Sequence, residues 1–153
     1  MEKININKTK ISELSKEDIQ DILNIQKEQN IYISSEENIL NDLEYTSFKY
    51  FTLKYENKII GYISFSYVID IEIEAIVIKK DFQRLGLGTL LLNFVFEFAK
   101  TNNIENIFLE VRISNTPARK LYDKCDFKEI NIRKNYYNDT NEDAIILLKK
   151  CSP

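Results

Sequence analysis

Glycine placement constrains this chain more than any other feature. Only three glycines occur in 153 residues, and two of them, Gly86 and Gly88, fall in one hexapeptide, Gln83-Arg84-Leu85-Gly86-Leu87-Gly88. Before it stands Ile71-Glu72-Ile73-Glu74-Ala75-Ile76-Val77-Ile78. That segment begins with strict alternation and ends as a continuous apolar run, the pattern of a strand entering a buried part of a sheet. After it, Leu90, Leu91, Phe94, Val95 and Phe98 recur at helical spacing. A strand feeding a glycine loop that opens a helix gathers several backbone N–H groups at the helix start. Together with the helix dipole these favour an anion, above all a phosphate. Arg84 adds a charge and Thr89 a hydroxyl at the same mouth. The hexapeptide lacks the third glycine of a dinucleotide fingerprint and the Gly-Lys-Ser/Thr of a P-loop, so it suits a pyrophosphate of another kind. The same residues also fit an ordinary glycine-bearing strand-to-helix turn.

The remainder reads as one domain over residues 1–153, with no repeat and no Pro- or Ser-rich linker. At 44% hydrophobic, the chain can fill a core. Ile4 and Ile6 alternate with polar residues and predict a first strand; Ser15 and Asp18 resemble a helix-capping start for Ile19, Ile22, Leu23 and Ile25. A second helix is expected from Ser35, with Ile39, Leu40 and Leu43 on one face. Strands follow at Phe48 to Tyr55 and Ile59 to Val68, joined by a tight Glu56-Asn57-Lys58 connection, with Gly61 alone inside a strand pattern. Ile107 to Arg112 predicts another strand and Thr116-Pro117 a helix start carrying Ala118, Leu121, Tyr122 and Cys125. Phe127 to Ile132 and Ala144 to Leu148 are closing strands, with Tyr136, Tyr137, Asn138 and Asp139 in the loop between them. The order β-α-α-β-β-β-α-β-α-β-β describes a mixed α/β sheet.

Composition removes whole classes of chemistry. The absence of His excludes Ser-His-Asp and Cys-His triads and His-ligated metal sites, and Cys125 and Cys151 are too few for a zinc cage or disulfide framework. No metal is expected. A net charge of −3 gives no nucleic-acid footprint. No apolar run approaches a membrane span of about 18–20 residues, and Met1 to Lys10 has no signal-peptide core. A soluble, cytoplasmic protein with no nucleic-acid or membrane partner is the expectation.

Gln83-Arg84-Leu85-Gly86-Leu87-Gly88 resembles the Gln/Arg-x-x-Gly-x-Gly/Ala signature of the GNAT superfamily of acyl-CoA-dependent N-acyltransferases. Further likeness runs through Leu109-Glu110-Val111-Arg112, Ser114-Asn115, Ala118, Leu121-Tyr122, Phe127, Arg133, Asn135-Tyr136-Tyr137 and Glu142-Asp143-Ala144-Ile145-Ile146. In register these are similar to the RimI-type N-terminal alanine acetyltransferases, over roughly Asp70 to Leu148. The resemblance implies the GNAT fold: a mostly antiparallel sheet of about seven strands, splayed between strands four and five and flanked by about four helices. It implies acetyl-CoA as cosubstrate. Its pyrophosphate would lie on Gln83, Arg84, Leu85, Gly86, Leu87, Gly88 and Thr89, its pantetheine on the backbone of Ile76, Val77 and Ile78, and its arm against Asn115. Asn115 equally suits a helix cap.

By the same resemblance Glu110 is the base, working through water, and Tyr122 the acid for the departing thiolate. Tyr136, Tyr137 and Tyr32 would line the acceptor site. A base weaker than His suffices if the acceptor is easily deprotonated. At pH 7 that costs about 1 kcal/mol for an α-amine and about 4–5 kcal/mol for Lys. Read without the family, Glu110 and Arg112 also fit an ion pair on a wet strand face, Tyr122 a core aromatic, and Asp70, Glu72 and Glu74 a solvated stripe or an anionic wall for a cationic substrate. The implied reaction is acetyl transfer to a protein N-terminus by direct attack in a ternary complex, an alanine-first ribosomal protein being the acceptor the narrower resemblance suggests. Acetylation of a small amine or a Lys side chain, and a non-catalytic acyl-CoA-binding module, are the alternatives. The chain departs from the family at Tyr32-Ile33-Ser34-Ser35, where a Phe-Pro-Trp-Ser-like segment is usual, and at Lys79-Lys80 before the phosphate loop.

Overall fold

A computed structural model describes residues 3–151. Its first feature is a cap. The Asn5 side chain accepts from the Asn7 N–H at 3.0 Å and the Lys8 N–H reaches the Asn5 carbonyl at 2.9 Å, closing a 3-10 turn over Ile6–Lys8. The first strand, β1, is therefore Thr9–Glu13, later than the Ile4 and Ile6 alternation predicts, because a local side-chain bond competes with the sheet. The Asp18 carboxylate then accepts from the Ser15 N–H and hydroxyl at 3.4 and 3.0 Å, and α1 runs Ile19–Glu28. Ser35 caps α2, Glu36–Asp42, by accepting from the Asn38 N–H at 3.1 Å. Strands β2, Phe48–Tyr55, and β3, Lys58–Tyr67, meet through Glu56 and Asn57 at φ 51° and 64°, the two left-handed residues that a tight hairpin with matching twist requires. There follow β4 (Ile71–Ile78), α3 (Leu87–Thr101), β5 (Asn106–Arg112), α4 (Thr116–Lys124), β6 (Lys128–Tyr137) and β7 (Glu142–Lys150).

The seven strands take the order β1-β2-β3-β4-β5-β7-β6, with β4 and β5 parallel and the β1–β2, β2–β3, β5–β7 and β6–β7 pairs antiparallel. This is the mixed α/β architecture read from the sequence. Among the described residues no helix is long and apolar enough to cross a membrane.

The chain forms two compact units. One holds the chain up to Ser66 with Ala75–Leu91, the other Tyr67–Glu74 with the chain from Leu92 onward. In the first, the apolar face of α1 (Ile19, Ile22, Ile25) and Ile39 of α2 pack with Leu14, Tyr50, Tyr62 and Val77. Each fully buried Ile contributes on the order of 2 kcal/mol of apolar transfer. Gly61 has a backbone reason: a Cβ there would sit 2.7 Å from the Val77 carbonyl oxygen, so only glycine lets the main chains approach.

In the second unit β4 pairs with β5 at Ile71↔Ile107, Glu72↔Phe108 and Ile73↔Leu109. Ile107, Leu109 and Val111 are buried, while Phe108, Glu110 and Arg112 take the other face of β5. The closing strands outrun their sequence limits, and here one expectation is corrected. Tyr136 and Tyr137 end β6 rather than lying in a loop, and Tyr137 pairs with Glu142. A bulge carries the strand through the polar stretch before them. Asn135 takes φ 51°, its N–H donates to Asp143 Oδ1 at 2.9 Å, and the register shifts between Arg133 and Tyr137.

Candidate active site

In the first unit, the glycine loop follows a short 3-10 turn, Lys80–Phe82. Gly86 sits at φ 82° and an added Cβ would meet nothing within 4 Å, so this glycine serves a backbone conformation beside open space. Arg84 is also left-handed, at φ 63°. Helix α3 begins at Leu87, whose side chain is buried, so Leu87 can offer a ligand only its main chain. Helix α3 opens soon after the turn over residues 83 and 84, and the first amide N–H groups of a helix have no acceptor within it. Unsatisfied donors at a helix start next to vacant space are the chemistry a pyrophosphate needs, so the residues present fit one.

Gln83, the first residue of the hexapeptide, turns away from that mouth. Its Nε2 donates to the Ile78 carbonyl at 2.9 Å and to Gln29 Oε1 at 3.0 Å, while Gln29 Nε2 donates to the same carbonyl at 2.9 Å. Lys79 pairs with Glu28 at 3.7 Å. The end of α1 is thereby tied to the end of β4. Ile76 and Ile78 are half-buried and Val77 is buried. Tyr32 is 81% exposed, on a loop held from beneath by buried Gln26. Gln26 Oε1 accepts from the Ile33 and Ser34 N–H groups at 2.8 and 3.2 Å. Sequence reading passed over Gln26 and Gln29; their one signal was a polar residue within an apolar helical stripe.

The second unit gathers Glu110, Asn115, Tyr122, Tyr136 and Tyr137. The ion pairing differs from the Glu110–Arg112 pair that alternation suggests. Glu110 pairs with Arg133 at 3.5 Å, and Arg112 grips Asp139 through both guanidinium nitrogens at 2.9 and 3.0 Å. The neighbouring Glu110 carboxylate raises the pKa of the Tyr136 phenol, with burial adding to the shift. Tyr136 and Tyr137 meet edge to face at 5.1 Å, and Tyr137 is raised chiefly by burial and then by the Glu110 charge. Tyr122 lies edge-on to Phe127 at 5.7 Å, and burial pushes its pKa up to about 12, with Tyr137 and Cys125 adding to the shift. Asn115 caps α4, its Oδ1 accepting from the Ala118 N–H at 3.3 Å. Cys125 is buried, but it lies just past the end of α4 rather than within the helix.

Residues 17–127 match the acetyltransferase (GNAT) family. The chain belongs to that family. A [ribosomal protein bS18]-alanine N-acetyltransferase of Salmonella typhimurium is 43% identical over 74 residues, covering 47% of this chain and 50% of that protein. The chain spans 44% to 66% of the length of the first curated relatives it matches. The crystal structure of the ribosomal-protein-S18-alanine N-acetyltransferase from Escherichia coli superposes with a TM-score of 0.86 at 29% identity, covering 95% of each chain. A GNAT family acetyltransferase from Elizabethkingia anophelis, solved with acetyl-CoA bound, superposes at 0.75 with 26% identity, covering 94% of this chain and 99% of that one. The matched segment of this GNAT protein contains both the glycine loop and the Glu110–Tyr122 stretch.

Proposed function

We propose that this GNAT protein transfers acetyl from acetyl-CoA to the α-amine of a protein N-terminus. The likeness to the bacterial ribosomal-protein alanine acetyltransferases makes an alanine-first ribosomal protein the first acceptor to try. One observation carries the reading. Arg133 pairs with the Glu110 carboxylate at 3.5 Å and stands 5.5 Å from the centroid of the Tyr136 ring, so the residue assigned to take the acceptor's proton lies beside the pair assigned to grip the acceptor.

The N–H groups of residues 84–89, with Arg84 and Thr89, hold the pyrophosphate. The backbone of Ile76, Val77 and Ile78 holds the pantetheine arm, although the Ile78 carbonyl already accepts from Gln29 and Gln83, which leaves the other main-chain groups of the run to carry it. Asn115 spends Oδ1 on its helix and keeps its Nδ2 donors for the ligand. Acetyl-CoA, when bound, supplies an acyl group already activated towards amines. Glu110 accepts the proton that the attacking amine sheds, through water, and an α-amine of pKa about 7.7–8.0 asks little of a carboxylate. Tyr122 keeps its proton across the physiological range. A phenol near 12 does not hand that proton outright to a thiolate of pKa about 8.5, so Tyr122 donates a hydrogen bond to the sulfur as the C–S bond breaks.

Two peptides and intact-mass analysis test the reading. With acetyl-CoA and the protein, an alanine-first peptide with blocked lysines gains one acetyl group, and an N-blocked peptide with free Lys gains none. The reverse result establishes the lysine reading instead. Acetyl-CoA binding with no transfer to either peptide or to a polyamine establishes a binding module.

A further inference from the structure

We propose that Arg112 is a positioning residue that sets the Tyr136–Tyr137 pair for the acceptor peptide; this rests on the acceptor role given to that pair above. Arg112 shares a face of β5 with Glu110, two residues away. Its Nη1 and Nη2 form a two-pronged bond to Asp139, and Nη1 also donates to Thr140 Oγ1 at 3.2 Å and lies 3.7 Å from Glu142 Oε1. The guanidinium carbon stands 4.0 Å from the centroid of the Tyr137 ring. Tyr137 in turn braces Tyr136, ring against ring at 5.1 Å, and Arg133 lies over Tyr136 at 5.5 Å while it pairs with Glu110. Glu142 also accepts from the Ser114 N–H at 3.2 Å and the Thr140 hydroxyl at 3.2 Å. One side chain therefore joins the β6–β7 turn, the tyrosine pair and the loop that leads to Asn115.

Stability alone does not call for this arrangement. Asp139 is 63% exposed, and exposed ion pairs contribute little to folding. The distinctive element is shape: a planar fork that binds a carboxylate along one edge while its face lies on an aromatic ring, which Lys cannot reproduce at equal charge.

Arg112→Lys is therefore the informative variant, with Asp139→Asn beside it. In steady-state assays with the alanine-first peptide, Arg112→Lys should raise the peptide KM roughly tenfold, leave kcat within a few-fold and leave the acetyl-CoA Kd unchanged. Asp139→Asn should move the peptide KM the same way by less. A peptide KM unchanged in Arg112→Lys overturns the proposal, as does an acetyl-CoA Kd that worsens in parallel, since that marks general loosening. A readout independent of activity separates this idea from the function beneath it. The chain has nine Tyr and no Trp, so tyrosines dominate its near-ultraviolet circular dichroism. Arg112→Lys should change that signal and leave the far-ultraviolet spectrum intact; an unchanged near-ultraviolet signal overturns the proposal. If the wild-type protein acetylates no α-amine while this change is seen, the acceptor reading fails and the positioning of the tyrosines by Arg112 stands.

Discussion

One side chain and two glycines carry most of what can be tested at the scale of single residues. Tyr122→Phe removes one hydroxyl and leaves the ring against Phe127. It should cut kcat by about a hundredfold or more while the acetyl-CoA Kd stays put; unchanged turnover would take Tyr122 out of the reaction. The glycines answer to different forces. At Gly86 an Ala has room but must hold φ 82°, at a cost of about 1–2 kcal/mol, so Gly86→Ala should weaken acetyl-CoA binding measured by calorimetry and lower the melting temperature only slightly. At Gly61 an Ala drives a methyl against the Val77 carbonyl oxygen, and the loss should appear in the melting temperature instead. Both glycines were conspicuous in the sequence. Which of the two reasons applied at each was not, because close approach of a distant strand and a left-handed φ leave the same letter.

At the scale of elements, polar residues placed in apolar stripes tie loops to helices. Buried Gln26 follows Ile22 and Ile25 on the inner side of α1 and satisfies the Ile33 and Ser34 N–H groups. Gln26→Leu would strand two donors at about 1–3 kcal/mol and should speed hydrogen exchange at Ile33 and Ser34 more than in β2 or β3. Periodicity read α1 correctly through Ile19, Ile22 and Ile25, yet it counts only apolar positions and so passed over Gln26 and Gln29. The misread parts of the chain failed for a related reason. Ile4 and Ile6 alternate like a strand, but Asn5 caps a turn there. Lys134 and Asn135 read as a loop, but a bulge bonded to Asp143 extends β6 through them to Tyr137.

Protonation belongs to the whole molecule, because folding is linked to every group whose pKa differs between states. Burial raises the phenols of Tyr122, to about 12, and of Tyr62. Above about pH 10 the unfolded chain releases these protons while the folded chain keeps them. Their contribution is intact below about pH 10 and declines as pH rises towards 12. Urea midpoints should fall over that interval, and Tyr122→Phe should flatten the fall; a midpoint constant from pH 9 to about 11.5 would contradict it. Asp139 and Glu142 act at the other end. Arg112 holds the Asp139 carboxyl below its usual value, and bonds from Ser114 hold Glu142 below its own, so the clamp persists above the ordinary carboxylate range and is lost as pH falls through the lowered values.

Taken alone, the sequence determined the element order, the glycine loop at the start of an apolar helix, the exclusion of histidine chemistry and the residue types available to the proposed site. Those properties are local: they depend on period, on turn chemistry and on which side chains exist at all. The tertiary structure decided the partnerships. Glu110 went to Arg133, Arg112 to Asp139 and Tyr137, and the Ile78 carbonyl to Gln29 and Gln83. All but the Gln83 bond join residues far apart in the chain, and a charge or an amide takes whichever complementary group the packed backbone brings within about 3 Å, a choice that no spacing along the chain encodes.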